Sequence, residues 1–444
     1  MLEKQLFEGL ADMASPKLEQ AGGRVRMREP ERRQVELRSV DLDSLLSVDH
    51  PARVIWGYVE KLDLSVLEEK IRAREHTPGQ SPASPRLLLA LWLYATSQGV
   101  GSARALERLC ESHDAYRWLC GGVSVNYHGL ADFRSGHGEL LDQLLTHNIA
   151  TLSAAGVIDL AEVVQDGVRV RASAGASSFR RQKSLHKHLK KARRLVEHLG
   201  REVDEDPDAS NRRIKAAQER AAREREQRVA AALDRLAEIE AERQRRAKTN
   251  KKQVEKQKEP RVSTTDPRAR VMKMADGGFR PAYNCQIATV DEGQIVVDVD
   301  VDTSGSDRGL LRPMLESLRL RYRQLPRRHL VDGGFNKNED TEWAAGQGVK
   351  VYGPATQSKH KSDPYVPRPD DGPGVTAWRR RMKSPHGKGV YKRRSMGECI
   401  NARCRQWGIR QFTVRGVDKV KTALLWFALA NNILVGHRLQ ACPA

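Results

Sequence analysis

The sequence predicts an α/β protein: a mixed sheet with flanking helices, preceded by an all-helical domain and split by a long helical hairpin. Three observations carry this. Residues 36–152 hold apolar patterns of helical period only. A strand-like run at 163–175 is followed by a long charged helical stretch over 179–260. After Pro260, short β-rich runs alternate with helical ones, the pattern of strands and helices that share a sheet.

Taken in order, residues 1–35 are charged and weakly patterned and read as a mobile segment. The domain at 36–155 opens with VDHPARVIWGYVEKLDL, where Val54, Ile55, Tyr58, Val59 and Leu62 fall at helical spacing. SPRLLLALWLYATSQGV follows, with Ser84 as N-cap and Pro85 at the first helical position. Four shorter helical pieces broken by Gly and polar turns complete it. They suit a helix-turn-helix type DNA-binding module and equally a small helical bundle. VVQDGVRVRASAG (163–175) alternates Val and Arg as a strand does, within a first core segment at 156–178.

The insertion at 179–260 has two apolar stripes. One is Leu185, Leu189, Leu195, Val196 and Leu199. The other is Ile214, Ala217, Ala221, Val229, Leu233, Leu236 and Ile239. Two charged helices joined by an acidic turn make a hairpin, or a coiled coil, that serves as a solvated arm. The remaining core, 261–440, reads as strands at 282–290 and 293–303, a helix at 307–325, a strand ending at RHLVDGG, a helix, a strand at VKVYGP, a Pro/Gly/Lys-rich linker over 355–390, and two closing helices.

Bulk properties narrow the function. The 444 residues carry a formal net charge of +20 and a pI near 9.8, which favours a polyanionic partner, most often nucleic acid. Cysteines at 110, 120, 285, 399, 404 and 442 form no CxxC and pair with no His at finger spacing, which argues against a zinc finger, and so few suit a reducing compartment. The N-terminus has no signal-peptide apolar core, and LLLALWLYA is far too short to span a bilayer. The reading is a cytoplasmic, nucleoid-associated protein with no membrane partner.

The chemistry rests on carboxylates at strand ends. Asp166 follows Val163 and Val164, and Asp332 ends His329-Leu330-Val331. An Asp-Gly pair is also a common turn signal. If the two strands are neighbours, two aspartates meet, and a divalent cation relieves their repulsion. Two such ions about 3.5–4 Å apart can clamp the attacking and leaving oxygens of a phosphodiester. Among the later acids Glu398 stands out: in YKRRSMGECINARCR, Arg394 precedes it by four residues and Arg405 follows by seven, near one helix face. Alone, Arg394–Glu398 is an ordinary i,i+4 pair worth a few tenths of a kcal/mol.

With these residues in place, the chain resembles the DDE-class insertion-sequence transposases, which have an RNase H-like catalytic core. Their Y-x2-R-x3-E-x6-K signature is similar to Tyr391, Arg394, Glu398 and position 405, where this chain has Arg in place of Lys. QDGVRVRA (165–172) and VDGGF (331–335) resemble the two aspartate strands. TVRGVDKVKT (413–422) and GGVSVNYHGLADFRSGHGELLDQLL (121–145) resemble flanking segments. The resemblance implies Asp166, Asp332 and Glu398 as the catalytic, metal-binding triad, holding two Mg ions with Mn as a substitute. It implies Tyr391, Arg394 and Arg405 as contacts to DNA phosphates. It further implies double-stranded DNA partners, both element ends and target, and a homodimer in the synaptic complex. Other expectations compete: a decayed DNA-binding relative, a non-transposing nuclease of RNase H type, or a tyrosine recombinase using Tyr391. The last lacks Arg-His-Arg partners and leaves the carboxylates unexplained.

Overall fold

His50 and Ser84 each precede a proline, and both cap helices. His50 Nδ1 accepts from the Ala52 N–H at 3.1 Å and Ser84 Oγ from the Arg86 N–H at 3.2 Å. In the computed structural model, which describes residues 39, 41–71, 73, 81–205, 209–249, 259–290, 294–355 and 363–441, the first part is helical throughout. It comprises α1 (Pro51–Glu60), α2 (Ser65–Glu68), α3 (Pro85–Ser97), α4 (Ala103–Ser112), α5 (Asp114–Cys120), α6 (Tyr127–Gly136) and α7 (Gly138–Ala154). The 1–35 segment lies outside the described residues.

β1 (Glu162–Arg171) leads into the insertion: β2 (Phe179–Arg180), α8 (Gln182–Glu205), α9 (Ala209–Thr249) and β3 (Val262–Ser263). β2 and β3 pair antiparallel, Phe179 with Ser263 and Arg180 with Val262, and close the root of the hairpin. The seam is Leu185 and Ala192 against Ala222, Val229, Ala232 and Leu236. This corrects the expected stripes. Ile214, Ala217, Ala221 and Leu195 face outward, and buried alanines let the two helices approach closely.

The sheet continues with β4 (Arg270–Lys273), β5 (Phe279–Val290) and β6 (Ile295–Asp302), then α10 (Leu311–Tyr322), β7 (Arg328–Val331), α11 (Asn338–Gly346) and β8 (Lys350–Tyr352). β5 pairs antiparallel with β1, β4 and β6, while β7 lies parallel between β1 and β8. β4 is a strand the sequence reading did not include. The expected neighbourhood of the two aspartate strands is present: Gln165 of β1 stands opposite Val331 of β7.

The segment 355–390, expected as a linker, carries two helices in its second half. α12 (Pro373–Lys383) and α13 (Pro385–Tyr391) each begin on a proline at the first helical position. The basic composition hides a small apolar stripe, Val375, Trp378 and Met382, all buried. Arg379 is buried as well, paired with Asp371 at 2.6 Å. α14 (Ser395–Gln406) and α15 (Val417–Ala441) close the chain. α15 is apolar around most of its circumference because it packs on β6 on one side and on α1, α3 and α7 on others. Arg321 of α10, almost fully buried, ties these layers together through Asp142 of α7 (2.6 Å) and Asp298 of β6 (3.0 Å). Among the described residues no helix is long and apolar enough to cross a membrane.

Candidate active site

β1 and β7 run parallel in register up to Gln165 beside Val331, where β7 ends and Asp332 follows. Asp166, expected at a strand end, instead lies in the middle of β1, next to Asp332 but still paired with Ile287 of β5. Asp332 ends β7 and caps a short 3-10 turn, Gly333–Phe335, by accepting from its own Gly333 N–H. Asp166 is mostly buried. Its Oδ1 accepts from the Gly167 N–H at 2.9 Å and its Oδ2 from Asn401 Nδ2 at 2.8 Å. Burial pushes the Asp166 carboxyl above the usual carboxylate range. Nearby Asp332 and Asp307 push the same way, and Arg394 and the Gly167 N–H oppose them.

The third predicted acid arrives on α14. This helix packs on β1 at Gly397, where a Cβ would meet Val164 Cγ1 at 3.0 Å and Asp166 Cβ at 3.3 Å. Arg393 at the head of the helix reaches Glu162 at the start of β1 (2.5 Å). Glu398 follows in the first turn with its side chain 62% exposed. Arg394 stands between the acids: it pairs with Glu398, lies 3.8 Å from Asp166 Oδ2, and its guanidinium is 5.9 Å from the Tyr391 ring centre. Burial works against the charged Arg394, but Tyr391, Asp166, Asp332 and Glu398 outweigh it and hold its pKa above the ordinary value. Burial raises the Tyr391 hydroxyl, with Asp332 adding to the rise and Arg394 opposing.

The structure therefore brings Asp166, Asp332, Tyr391 and Arg394 into one locality and joins Glu398 to it through Arg394. Arg405 is exposed at the far end of α14. Among the described residues no three His, Cys, Asp or Glu side chains are gathered closely enough to hold a metal ion. The donors present still suit a hard cation: carboxylate oxygens, plus the Asn401 Oδ1, which is buried without a hydrogen-bond partner on the amide that touches Asp166. Sequence reasoning did not single out Asn401. Its position three residues after Glu398, on the same helix face, was the available signal. Of the other polar residues near the motifs, Asn336 is spent on the Pro354 carbonyl. His329 is fully buried, with Nε2 3.0 Å from Gln165 Oε1.

The carboxylates do not line the cleft of about 1030 Å³ formed by α4, α6, α9 and the segments at 265–268 and 413–419. That cleft is bordered by Arg104, Arg228, Arg268, Arg415 and Lys419, and by acids including Glu224 and Glu238 that pair with some of them.

Two family models match the chain. One, described as Transposase DDE domain, matches residues 247–433; the other, Transposase domain (DUF772), matches residues 40–136. The first interval holds Asp332, Tyr391, Arg394, Glu398 and Arg405, and Asp166 falls outside both. No curated protein and no solved structure matches. The two intervals together span more than half of a chain whose aspartate-bearing strands lie side by side, and the chain belongs to the DDE transposases of insertion sequences.

Proposed function

We propose that this DNA transposase cuts and joins DNA at a centre made of Asp166, Asp332 and Glu398, within an RNase H-like core of the Y-R-E-K type. The observation that carries the reading is the placement of Asp166, in the middle of β1, beside Asp332, which follows the end of the parallel strand β7, with the Glu398 helix packed on β1 at Gly397. The sheet order, in which β5 pairs antiparallel with β1, β4 and β6 and β1 is continued by the parallel strands β7 and β8, supports the core assignment.

Divalent ions, Mg or Mn, when bound to these carboxylates supply the charge that activates the attacking oxygen and stabilises the leaving one. The chain's own groups position the DNA. Arg394, braced on Tyr391, moves from its carboxylate partners to a phosphate oxygen at the scissile bond, and Arg405 holds a neighbouring phosphate. Asn401 and the Gly167 N–H keep the Asp166 carboxylate aimed. Water attack breaks the P–O3′ bond at the element end and leaves a 3′-OH. That hydroxyl attacks a target phosphodiester, forming a new P–O bond and releasing the target's own 3′-OH. The helical region at 36–155 and the basic cleft hold element ends through salt-sensitive phosphate contacts. Two copies synapse two ends, and the nucleoid is the place of action.

The test is Asp332→Asn with element-end DNA. The expected result is loss of Mg-dependent cleavage with end binding retained. Full cleavage by the variant removes Asp332 from the centre. Binding without cutting by the wild-type chain under Mg or Mn identifies a decayed relative. Equal cutting of random DNA, without joining, identifies a simple nuclease.

A further inference from the structure

The helix that carries Glu398 lies along β1 in a matched register. Residues four apart on the helical side, Arg393, Gly397 and Asn401, meet alternate residues of the strand, Glu162, Val164 and Asp166. Arg393 sits in the 3-10 turn Lys392–Arg394 that leads into α14, and it donates to Glu162 Oε2 at 2.5 Å. Gly397 closes on Val164 and Asp166. Asn401 Nδ2 donates to Asp166 Oδ2 at 2.8 Å. Four helical residues rise about 6 Å and two strand residues about 6.6 Å, so the steps keep pace. Alternation puts Glu162, Val164 and Asp166 on one face of β1, the face that α14 covers.

Glu162 joins a third element to this pair. Its Oε2 also accepts from Arg328 Nη1 at 3.2 Å, and the two residues stand opposite each other where β7 begins. Glu162 lies four residues before Asp166, Arg328 four before Asp332, and Arg393 five before Glu398. One carboxylate oxygen therefore binds the roots of the three segments that carry the acids. The backbone ladder already holds β7 against β1. The helix has no such ladder, and apolar packing is non-directional. A slip of one helical turn would carry Glu398 about 5.4 Å along the strand.

Stability is a poor account of this carboxylate. The Glu162 side chain is only 13% exposed. Among the described residues, Glu162 Oε1 and Arg393 Nε are buried with no hydrogen-bond partner. Unsatisfied buried polar atoms offset what an ion pair gains. What charge-assisted hydrogen bonds do supply is direction. With Arg393 drawn to Glu162, its chain neighbour Arg394 is left to face Asp166 and Glu398. We propose that Glu162 is a positioning residue of the centre: it sets the register of the Glu398 helix on β1, so that Glu398 and Arg394 meet Asp166 and Asp332. The proposal rests on the reading of those acids as the centre given above.

Single-turnover cleavage of element-end DNA and amide hydrogen exchange, both on the full chain, test it. The variants are Glu162→Gln, Arg393→Gln, and the reversed pair Glu162→Arg with Arg393→Glu. Glutamine keeps the shape of Glu162 and removes its charge. Glu316→Gln, which breaks the exposed Arg312–Glu316 pair of α10, is the control. Each single variant of the Glu162–Arg393 pair is expected to lower kcat about tenfold, with KM for end DNA little changed. Exchange at 392–401 is expected to quicken while the strands keep their protection, a local release that needs no catalysis to be seen. The reversed pair is expected to recover most of the rate, and Glu316→Gln to match the wild type. Wild-type cleavage by Glu162→Gln overturns the proposal. So does a fall in rate with exchange quickened throughout the chain and no recovery in the reversed pair, which makes Glu162 a structural ion pair only. Full cleavage by Asp332→Asn overturns instead the reading of the centre on which the proposal rests.

Discussion

Replacing Gly397 by alanine sets two known effects against each other. Alanine in a helix is favoured over glycine by about 1 kcal/mol. The added Cβ lies 3.0 Å from Val164 Cγ1 and 3.3 Å from Asp166 Cβ, and neither is the loose end of a flexible side chain. Val164 is fully buried in a strand paired on both sides, so α14 must move out by a few tenths of an ångström. Overpacking of this kind costs about 1–3 kcal/mol, and the net loss is therefore at most about 2 kcal/mol. The variant folds, but the helix that carries Glu398 and Asn401 is displaced. Since a misplacement of about 1 Å can cost 10²-fold in rate, a shift of tenths predicts a fall in kcat of about two- to tenfold, with KM for end DNA little changed. Urea unfolding and single-turnover cleavage measure the two quantities. Gly389→Ala, in helix α13 with nothing within 4 Å of the new Cβ, is the control: more stable and equally active. Cleavage by Gly397→Ala at the wild-type rate, or a stability loss well above 3 kcal/mol, refutes the reasoning.

Two further outcomes follow from buried groups. Burial pushes the His329 imidazole from its ordinary 6.5 down to about 3. The unfolded chain therefore binds an extra proton between those values. His329 contributes stability that is full above the unfolded pKa and is lost as pH falls toward the folded one, by about 1.4 kcal/mol per pH unit. His329→Gln should flatten the acid limb of a stability–pH curve measured without metal; an unchanged slope assigns the acid sensitivity elsewhere. Trp378→Ala removes a buried ring whose Nε1 donates to the Gly353 carbonyl at 3.1 Å. It should cost about 3–5 kcal/mol in urea unfolding, whereas a neutral result would return residues 373–383 to the status of a linker.

The sequence was most legible where apolar period and capping chemistry agreed. The Ser84–Pro85 start, the Val/Ile-rich strands of the 279–302 hairpin and the adjacency of the two aspartate strands all followed from local pattern and topology. Composition misled at 355–390, where Pro, Gly and Lys outnumber the three apolar residues that suffice to bury one face of α12. The turn at 303–310, where a helix starting at Asp307 was expected, was invisible for a different reason. Nothing in Ser306-Asp307-Arg308 distinguishes a helix start from a turn, because the deciding partners, Asn284 and Gln286, lie on another strand. Likewise Arg394 was legible as a partner of Glu398 by spacing, whereas its reach to Asp166 depends on how α14 docks.

The two-residue clasp at the root of the charged arm has a consequence for variation. Phe179–Arg180 and Val262–Ser263 bring the chain back to where it left the sheet. Ring closure is settled there, and each doubling of the excursion beyond adds only about 0.6 kcal/mol of entropy. Relatives are free to lengthen, shorten or recolour the arm without disturbing strand register, so the protrusion can evolve as a detachable tool while the carboxylate strands stay still.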